Sequence, residues 1–273
     1  MEKRRLDTLL AERGLFASRT RAAASVMAGQ VRVGVGERRA AKPGELVSVD
    51  EPLLVQAPPA FVSRGGIKLE NALADSGLHV AGRTAIDVGA STGGFTDCLL
   101  KRGADAVIAV DVGYGILDYG LRTDPRVLVM ERVNARSLTP AMLTAARPDG
   151  GPTPDLATVD VSFISLGKVL GAVLACLAPG FDVLALVKPQ FELGRGRVGK
   201  GGVVREAADR RDALIGAGAR AIELGAAVRS YHSSGLPGPK GNRESFVWLS
   251  DPATGAGTRE PAELAALAVE VEP

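Results

Sequence analysis

The sequence predicts an α/β protein built on a parallel sheet with helices on both faces, preceded by a small α+β module. From Thr84 onward, apolar segments rich in β-branched residues alternate with segments of helical periodicity, which is typical of a parallel sheet. The first fifty residues form shorter, basic segments that do not fit this alternation. A chain of 273 residues has room for one large domain and one small one.

The N-terminal module is predicted to contain two helices followed by strands. Leu6 and Leu10 recur at helical spacing, and Gly14 is expected to end that helix. Ser18 is a suitable N-cap for a second helix that continues to Ala28. The segments "QVRVGV" and "ELVSVD" then alternate as strands do.

This module is basic, although the whole chain carries a net charge of only +2. Residues 1–50 hold ten Lys and Arg against six Asp and Glu, a difference of +4. Arg4 and Arg5 open the first helix, and Arg19 and Arg21 lie in the first turn of the second, where free backbone amides favour phosphate. We expect these arginines to bind a polyanion; the alternative is a solvated arginine-rich surface.

Seven strands and four helices are predicted for the body of the chain. The strands are Thr84–Val88, Ala106–Val112, Val127–Glu131, Leu156–Val161, Val183–Val187, Val228–His232 and Ser245–Leu249. The helices are Gly94–Arg102, Ile116–Leu121, Leu166–Leu177 and Arg205–Leu224. Ligands of such sheets bind at the carboxyl ends of the strands.

The glycine-rich loop in "TAIDVGASTGGFTDCLL" marks a ligand site after the first of these strands. Asp87 precedes the loop and Asp111 ends the next strand, where a carboxylate can accept hydrogen bonds from ribose hydroxyls. Gly89 and Gly94 match the outer glycines of a dinucleotide loop, but Ser91 stands where the middle glycine would approach a pyrophosphate. The loop therefore favours S-adenosylmethionine modestly over NAD, and glycines that serve only packing remain an alternative.

Four further charged residues suggest chemistry, and three of them lie at strand ends that border the expected cleft. Lys68 precedes the first strand, Asp160 and Lys188 end the fourth and fifth strands, and Glu244 begins the last. A lysine can stabilise the alkoxide of a ribose hydroxyl or take its proton, and carboxylates can position the lysines. Each charge alone would be an ordinary surface residue, but the set suits methylation of a ribose hydroxyl.

These motifs resemble known families over nearly the whole chain. Residues 5–50, with "RLDTLL", "SRTRA" and "KPGELVSVD", resemble the S4 RNA-binding domain. Residues 68–249, with "VSRGGIKL", "DVGASTGGFTDCLL", "DVSFISL", "LVKPQFELGRGRVGKGGVVRE" and "GPKGNRESF", resemble the FtsJ-like ribose 2′-O-methyltransferases. Together they resemble the TlyA family, which methylates rRNA and is often labelled haemolysin.

The resemblance implies a Rossmann-like, S-adenosylmethionine-dependent methyltransferase fold behind an S4-like domain, with rRNA or ribosomal subunits as partners. The substrate implied is a cytidine ribose in 23S rRNA, and also 16S rRNA for members with a full N-terminal helix. It implies a catalytic tetrad of Lys68, Asp160, Lys188 and Glu244. The cofactor site implied comprises Asp87, Gly89, Ser91, Gly93, Gly94, Phe95, Asp111 and Asn134.

We expect an RNA-binding domain over residues 1–57, a linker over 58–63, a methyltransferase domain over 64–250 and an acidic tail over 251–273. The tail is expected to be a short helix or disordered. Arg64 is a further candidate for RNA binding, as are Arg195, Arg197 and Lys200 in the glycine-rich stretch after Lys188. That stretch is interpreted as a phosphate-contacting flap that orders on RNA, with a flexible, disordered surface loop as the alternative.

Three competing functions are weighed. The chain lacks the Asn/Asp-Pro-Pro-aromatic loop that is usual in enzymes that methylate the amino groups of bases. Methylation of a base carbon would need a cysteine nucleophile, but Cys98 and Cys176 lie within predicted helices, where they are expected to be core thiols. A haemolysin would need a signal or a spanning segment, and neither is evident. A non-catalytic RNA-binding assembly factor would not need the tetrad. We expect a cytoplasmic enzyme with no metal and no membrane partner, and the oligomeric state stays open.

Overall fold

The computed structural model describes residues 2–56, 59–148, 150–258 and 260–272, with the side chain of Arg195 left out. The chain forms two compact units, residues 1–59 and 60–273. Ala57 and Pro58, which the sequence assigns to the end of the module and the start of the linker, lie outside the described residues. The domain boundaries and the S4-like assignment therefore remain predictions.

The N-terminal unit packs two short helices against small antiparallel sheets. Its elements are β1 (Lys3–Arg5), α1 (Leu6–Glu12), α2 (Arg19–Met27), β2 (Val31–Val33), β3 (Arg38–Arg39), β4 (Leu46–Ser48) and β5 (Leu53–Val55). β1 pairs with β4, and β2 pairs with both β3 and β5. Leu6 and Leu10 are buried in its core, and the Ser18 side chain accepts a hydrogen bond from the Arg21 amide at the start of α2. Both predicted helices are present.

The second unit is built on a seven-stranded sheet. Its strands are β6 (Thr84–Val88), β7 (Ala106–Val110), β8 (Val127–Met130), β9 (Leu156–Val159), β10 (Asp182–Val187), β11 (Ala227–Ser233) and β12 (Ser245–Ser250). Its helices are α3 (Arg64–Ser76), α4 (Gly94–Lys101), α5 (Tyr119–Arg122), α6 (Pro140–Ala145), α7 (Leu170–Leu174), α8 (Pro189–Glu192), α9 (Ala207–Glu223) and α10 (Leu264–Val271). The sheet order is β11-β12-β10-β9-β6-β7-β8. The predicted α/β class is confirmed, and each predicted strand is present within two residues of its predicted ends.

The expectation of a wholly parallel sheet was wrong. β12 lies between β10 and β11 and runs antiparallel to both. β11 and β12 follow one another along the chain and are joined by the turn of residues 234–244, so they pair as a hairpin-like unit, whereas β6 to β10 pair in parallel. Because of this reversal, β12 begins at the edge of the sheet where the parallel strand β10 ends.

Two of the predicted helices differ clearly from their predicted ranges. α5 begins at Tyr119 rather than Ile116, since the Asp118 side chain accepts from the amides of Gly120 and Leu121. The predicted helix Leu166–Leu177 is a 3-10 turn over Leu166–Lys168 followed by α7.

The acidic tail is ordered in its described part. Leu264 and Ala268 of α10 are buried in the main core. The carboxylate of Glu272 pairs with the buried Arg210 of α9 at 2.8 Å. Of the two alternatives for the tail, the structure has the helix.

Within the described ranges, no helix combines the length and apolar character needed to cross a bilayer.

Candidate active site

The carboxyl ends of three parallel strands meet at one cavity. β6, β9 and β10 lead directly into Gly89, Asp160 and Lys188. The amide of Asp160 donates to the carbonyl of Val88 at 2.9 Å, so the ends of β6 and β9 stay in register. All three residues after the strands line a cavity of about 660 Å³, a size typical of small-molecule sites.

The glycines of the loop allow backbone segments to approach closely. Gly89 has φ +88°, and a Cβ there would lie 2.3 Å from the backbone oxygen of Asp160. A Cβ on Gly94 would lie 2.2 Å from the Ser63 hydroxyl. Larger residues would therefore push the loop away from two walls of the cavity. Both glycines therefore serve the packing role that the sequence analysis gave as an alternative. Both also line the cavity.

Two lysine–carboxylate pairs converge on this cavity. Lys68 Nζ lies 2.5 Å from Glu244 Oε2, and Lys188 Nζ lies 2.5 Å from Asp160 Oδ1. Lys188 also donates to the Ser162 hydroxyl at 2.9 Å. All four members of the predicted tetrad line the cavity, and the two lysines are 8% and 9% exposed. Charges this well buried need partners, because the desolvation of an unpaired ion costs several kcal/mol, about 3–5 in measured cases.

Glu244 reaches the site because β12 is antiparallel. Ser245, the first residue of β12, pairs with Val187, the last residue of β10. The residue before Ser245 therefore lies beside the residue after Val187, which is Lys188. In a parallel strand the same residue would lie at the opposite edge of the sheet. Lys68 comes from the buried face of α3, which also carries Leu69 and Leu73.

The predicted cofactor residues divide into two sets. Gly89, Ser91, Gly94 and Phe95 line the cavity. Asp111 is half-buried, and its carboxylate accepts from the amides of Ser91 at 2.8 Å and Gly113 at 2.7 Å. That carboxylate holds the loop and keeps acceptor capacity for further donors.

Neither Asp111 nor the remaining three predicted cofactor residues line the cavity itself. Asp87 is fully buried, and its carboxylate accepts from the hydroxyls of Thr96 at 2.7 Å and Thr158 at 3.0 Å. Burial raises the pKa of Asp87 to about 7, more than these hydrogen bonds lower it. Gly93 lies below the loop, where a Cβ would meet the Leu121 side chain at 2.3 Å. Asn134 is exposed, and its side chain caps a 3-10 turn by accepting from the Arg136 amide.

The predicted RNA-binding residues of the second unit lie in different settings. Arg64 lines the cavity and donates to the carbonyl of Pro237 at 3.2 Å. Arg197 pairs with Asp209 and Asp212 of α9, which fastens the glycine-rich stretch to that helix. Lys200 is exposed. The side chain of Arg195 lies outside the described residues.

In the N-terminal unit, three of the four candidate arginines are held by carboxylates. Arg5 and Arg19 donate to the buried Asp7, at 2.8 and 3.1 Å. Arg4 pairs with Glu2 and Glu12. Arg21 is exposed at the start of α2. The guanidinium groups of Arg5 and Arg19 stay about half exposed, so both can still face a polyanion.

Sequence reasoning missed several residues of the cavity wall, among them Phe163 and Asn242. Phe163 has φ +65°, is 91% exposed, and its ring lies 5.4 Å from that of Phe191. An exposed aromatic ring in a left-handed conformation is unusual and points to a functional constraint. Asn242 is buried between Lys240 and Glu244. Both lie within the motifs "DVSFISL" and "GPKGNRESF", but a lone phenylalanine or asparagine in a motif carries no signal of its own, whereas charged residues and glycines do.

The FtsJ-like methyltransferase family model matches residues 61–251. The chain belongs to the FtsJ-like methyltransferase family. The match contains the glycine-rich loop and the whole tetrad, and it leaves out the N-terminal unit and α10.

Full-length relatives place this FtsJ-like methyltransferase in the TlyA family. The "16S/23S rRNA (cytidine-2'-O)-methyltransferase TlyA" of Mycobacterium tuberculosis is 47% identical, over 90% of this chain and 89% of its own. "Hemolysin A" of Brachyspira hyodysenteriae is 38% identical, over 88% and 97%. The solved structure "Putative hemolysin from Streptococcus thermophilus" matches 99% of this chain and 96% of its own, with a TM-score of 0.71 and 40% identity. The resemblance to the FtsJ-like and TlyA families is confirmed.

Proposed function

We propose that this methyltransferase transfers a methyl group from S-adenosylmethionine to the ribose 2′-hydroxyl of a cytidine in rRNA. The observation that carries the proposal is the convergence of Lys68–Glu244 and Lys188–Asp160 on one cavity beside the glycine-rich loop. The M. tuberculosis relative is named for this chemistry on both rRNAs, 16S and 23S.

The described residues fit S-adenosylmethionine. Its ribose hydroxyls and its ammonium group are donors, and the half-buried carboxylate of Asp111 is an acceptor at the end of β7. The loop segment that lines the cavity, residues 89–95, holds no lysine or arginine to neutralise a diphosphate. Asp87 supports the loop from beneath. Its hydrogen bonds to Thr96 and Thr158 tie α4 and β9 to β6.

When bound, S-adenosylmethionine supplies an electrophilic methyl group on a sulfonium. With the cofactor bound, the methyl group would pass to the ribose oxygen, the thioether would leave with the electron pair of the C–S bond, and the hydroxyl proton would pass to solvent water. We infer that Lys188 faces the target oxygen, since its ammonium can stabilise negative charge as it develops there. Asp160 and Ser162 hold that ammonium in place. Lys68 and Glu244 form the second wall of the site.

RNA affinity is assigned to the arginines of the N-terminal unit and to Arg64 at the cavity. Guanidinium groups bind phosphates in a bidentate geometry, and such contacts release counterions, so this affinity should fall with salt. The N-terminal unit is thereby assigned RNA affinity, and the second unit is assigned the chemistry and an RNA contact at the cavity.

Mass-spectrometric mapping of rRNA tests the proposal. Ribosomal subunits and naked rRNA that lack the modification are incubated with the protein and S-adenosylmethionine. We expect a methyl group on the ribose of a cytidine in 23S rRNA, with 16S rRNA tested in parallel. Methylation of a base would contradict the assignment of the tetrad, and the absence of methylation on every substrate would favour a non-catalytic assembly factor.

A further inference from the structure

The side chain of Asn242 bridges two segments of the cavity wall. It lies two residues before Glu244 and is only 2% exposed. Its Oδ1 accepts from the amide of Val204 at 2.8 Å, and its Nδ2 donates to the carbonyl of Gly202 at 2.8 Å. Its backbone carbonyl accepts from the amide of Gly238 at 2.8 Å. One buried carboxamide thus satisfies backbone groups of the glycine-rich stretch that follows α8.

That stretch, residues 194–204, is here called the glycine loop wall. The Gly202 amide donates to the Gly199 carbonyl at 3.0 Å, and the Gly199 amide donates to the Val203 carbonyl at 3.2 Å. Gly201 and Gly202 have φ values of +85° and +81°, which glycine adopts without strain. Val198 and Gly202 line the cavity, so the shape of this segment sets the shape of the site.

The turn that carries Asn242, residues 234–244, is anchored on α3 from its other side. Asn71 Nδ2 donates to the carbonyl of Ser234 at 3.0 Å. Arg64 donates to Pro237, and Lys68 pairs with Glu244. The turn therefore has fixed contacts to α3 at three points, and Asn242 extends this fixed frame to the glycine loop wall.

Outside the glycine loop wall, the described side chains that bond to it are those of Asn242 and of two aspartates of α9. Arg197 pairs with these aspartates, Asp209 and Asp212, on the surface, and exposed pairs of this kind contribute little to stability. A buried amide or carbonyl left without its partner costs more. The side chain of Val204 is buried as well, so apolar packing also holds this end of the segment. Among the described polar contacts to the segment, those of Asn242 are therefore the strongest.

We propose that Asn242 is a positioning residue that holds the glycine loop wall against the catalytic cavity, in register with Glu244, so that the wall is formed before RNA binds. The effect of Asn242 on catalysis rests on the function proposed above. The hold of Asn242 on the glycine loop wall does not rest on that function. It departs from the sequence interpretation of this stretch as a flap that orders only on RNA.

Limited digestion with trypsin tests the structural content without any methyl transfer. The glycine loop wall contains Arg195, Arg197 and Lys200 as cleavage sites. In the full-length protein without RNA, we expect Asn242→Ala to be cut within the wall roughly tenfold faster than the native protein, as the loss of buried hydrogen bonds implies. Mass spectrometry of the fragments identifies the sites.

Asn71→Ala is the matched control, because Asn71 bonds to the same turn and not to the wall. It should leave cleavage within the wall unchanged. Asn242→Asp keeps the acceptor for Val204 and loses the donor to Gly202, so its cleavage should be intermediate. It also serves if Asn242→Ala fails to fold. Equal cleavage of the native protein and a folded Asn242 variant would overturn the proposal.

The kinetic consequence is a split between KM and kcat. Disordering the wall should raise the KM for rRNA about tenfold, with kcat lowered less than KM is raised and S-adenosylmethionine affinity unchanged. A rise in cleavage with normal KM would overturn the role in substrate positioning. An inactive native protein would refute the function proposed above and leave the digestion result standing.

Discussion

Asp7 in the N-terminal unit and Asp87 in the second unit are both buried carboxylates, and their pKa values move in opposite directions. Asp7 accepts charged hydrogen bonds from Arg5 and Arg19, and those from Arg5 in particular hold its pKa well below the usual range. Asp87 has only threonine hydroxyls as side-chain donors, and burial raises its pKa to about 7. A cation partner, rather than burial, decides which carboxylate stays ionised.

The carboxylates of the tetrad, Asp160 and Glu244, also have cation partners, each with a lysine Nζ at 2.5 Å. The two regions differ in which partner is buried. In the N-terminal unit the carboxylate is buried and the arginines are about half exposed, so positive charge faces outward. At the cavity the lysines are buried as well. Positive charge can therefore act there on a reacting oxygen with little screening.

Removing the cation of the Lys188–Asp160 pair should have the largest effect, because it takes away the buried positive charge that distinguishes the cavity from the N-terminal unit. Lys188→Ala should lower the single-turnover rate of rRNA methylation by roughly 10²–10³, the usual loss for one oxyanion-stabilising group. Lys188→Arg should also be slow, because its larger guanidinium does not fit as a point charge between Asp160 and the target oxygen. Binding of S-adenosylmethionine and RNA is measured in parallel and should persist.

Lys101→Ala is the matched control for Lys188→Ala. Lys101 pairs with Asp97 at 2.8 Å, but its side chain is half exposed. The rate should be unchanged. If Lys188→Ala methylates normally, Lys68 becomes the better candidate for the group that faces the oxygen.

Replacing Asp87 by asparagine should change how stability depends on pH. An aspartate with a raised pKa in the folded state binds a proton that the unfolded chain releases, so native stability falls as pH rises from about 4 to about 7. The slope is at most about 1.4 kcal/mol per pH unit. Asp87→Asn has no carboxyl group at this position and does not lose stability in this way. Its free energy of unfolding should therefore increase relative to that of the native protein as the pH rises over that range.

Urea unfolding followed by Trp248 fluorescence measures this effect, because the single tryptophan lies in β12 of the same unit. A constant difference between the native and Asp87→Asn proteins from pH 4 to pH 7 would show that Asp87 is ionised throughout. It would then resemble Asp7.

Asp7→Asn should have the opposite pH dependence. A carboxylate with a lowered pKa stabilises the folded unit above the unfolded pKa, near 4, and that stability is lost as pH falls through the folded value. At neutral pH, we expect hydrogen exchange in α1 to speed up roughly tenfold, and the difference should shrink below pH 4. Peptide-resolved exchange at two pH values measures it. An equal change at both would contradict the role of Asp7 as an ionised anchor.

Reversing the exposed charges of the N-terminal unit should have the smallest effect. Arg19→Glu with Arg21→Glu should weaken rRNA binding at moderate salt by roughly fivefold to tenfold and reduce its salt dependence, because phosphate contacts release counterions. Arg21→Glu alone leaves the Asp7 cluster intact and should give part of the effect. S-adenosylmethionine affinity should stay the same. Unchanged RNA affinity would assign the N-terminal unit another role.

Much of the second unit could be predicted from the sequence. Strand patterns and the polar residues that follow them are local features, so β6, β9 and β10 and the places of Asp160 and Lys188 follow from alternation alone. The sequence also suggested Lys68 and Glu244 as members of the same charged set, but their assignment to a catalytic tetrad came from family resemblance. The helical part of the tail had no pattern strong enough to exclude disorder.

The tertiary structure alone decided the direction of β12, and with it how Glu244 reaches Lys68 from 176 residues away along the chain. It also decided that Asp87 supports the loop from beneath, and that Asn242 holds the glycine loop wall. Strand direction and buried hydrogen bonds depend on contacts between distant segments. No local pattern of residues encodes them, because the same alternation fits a strand that runs either way.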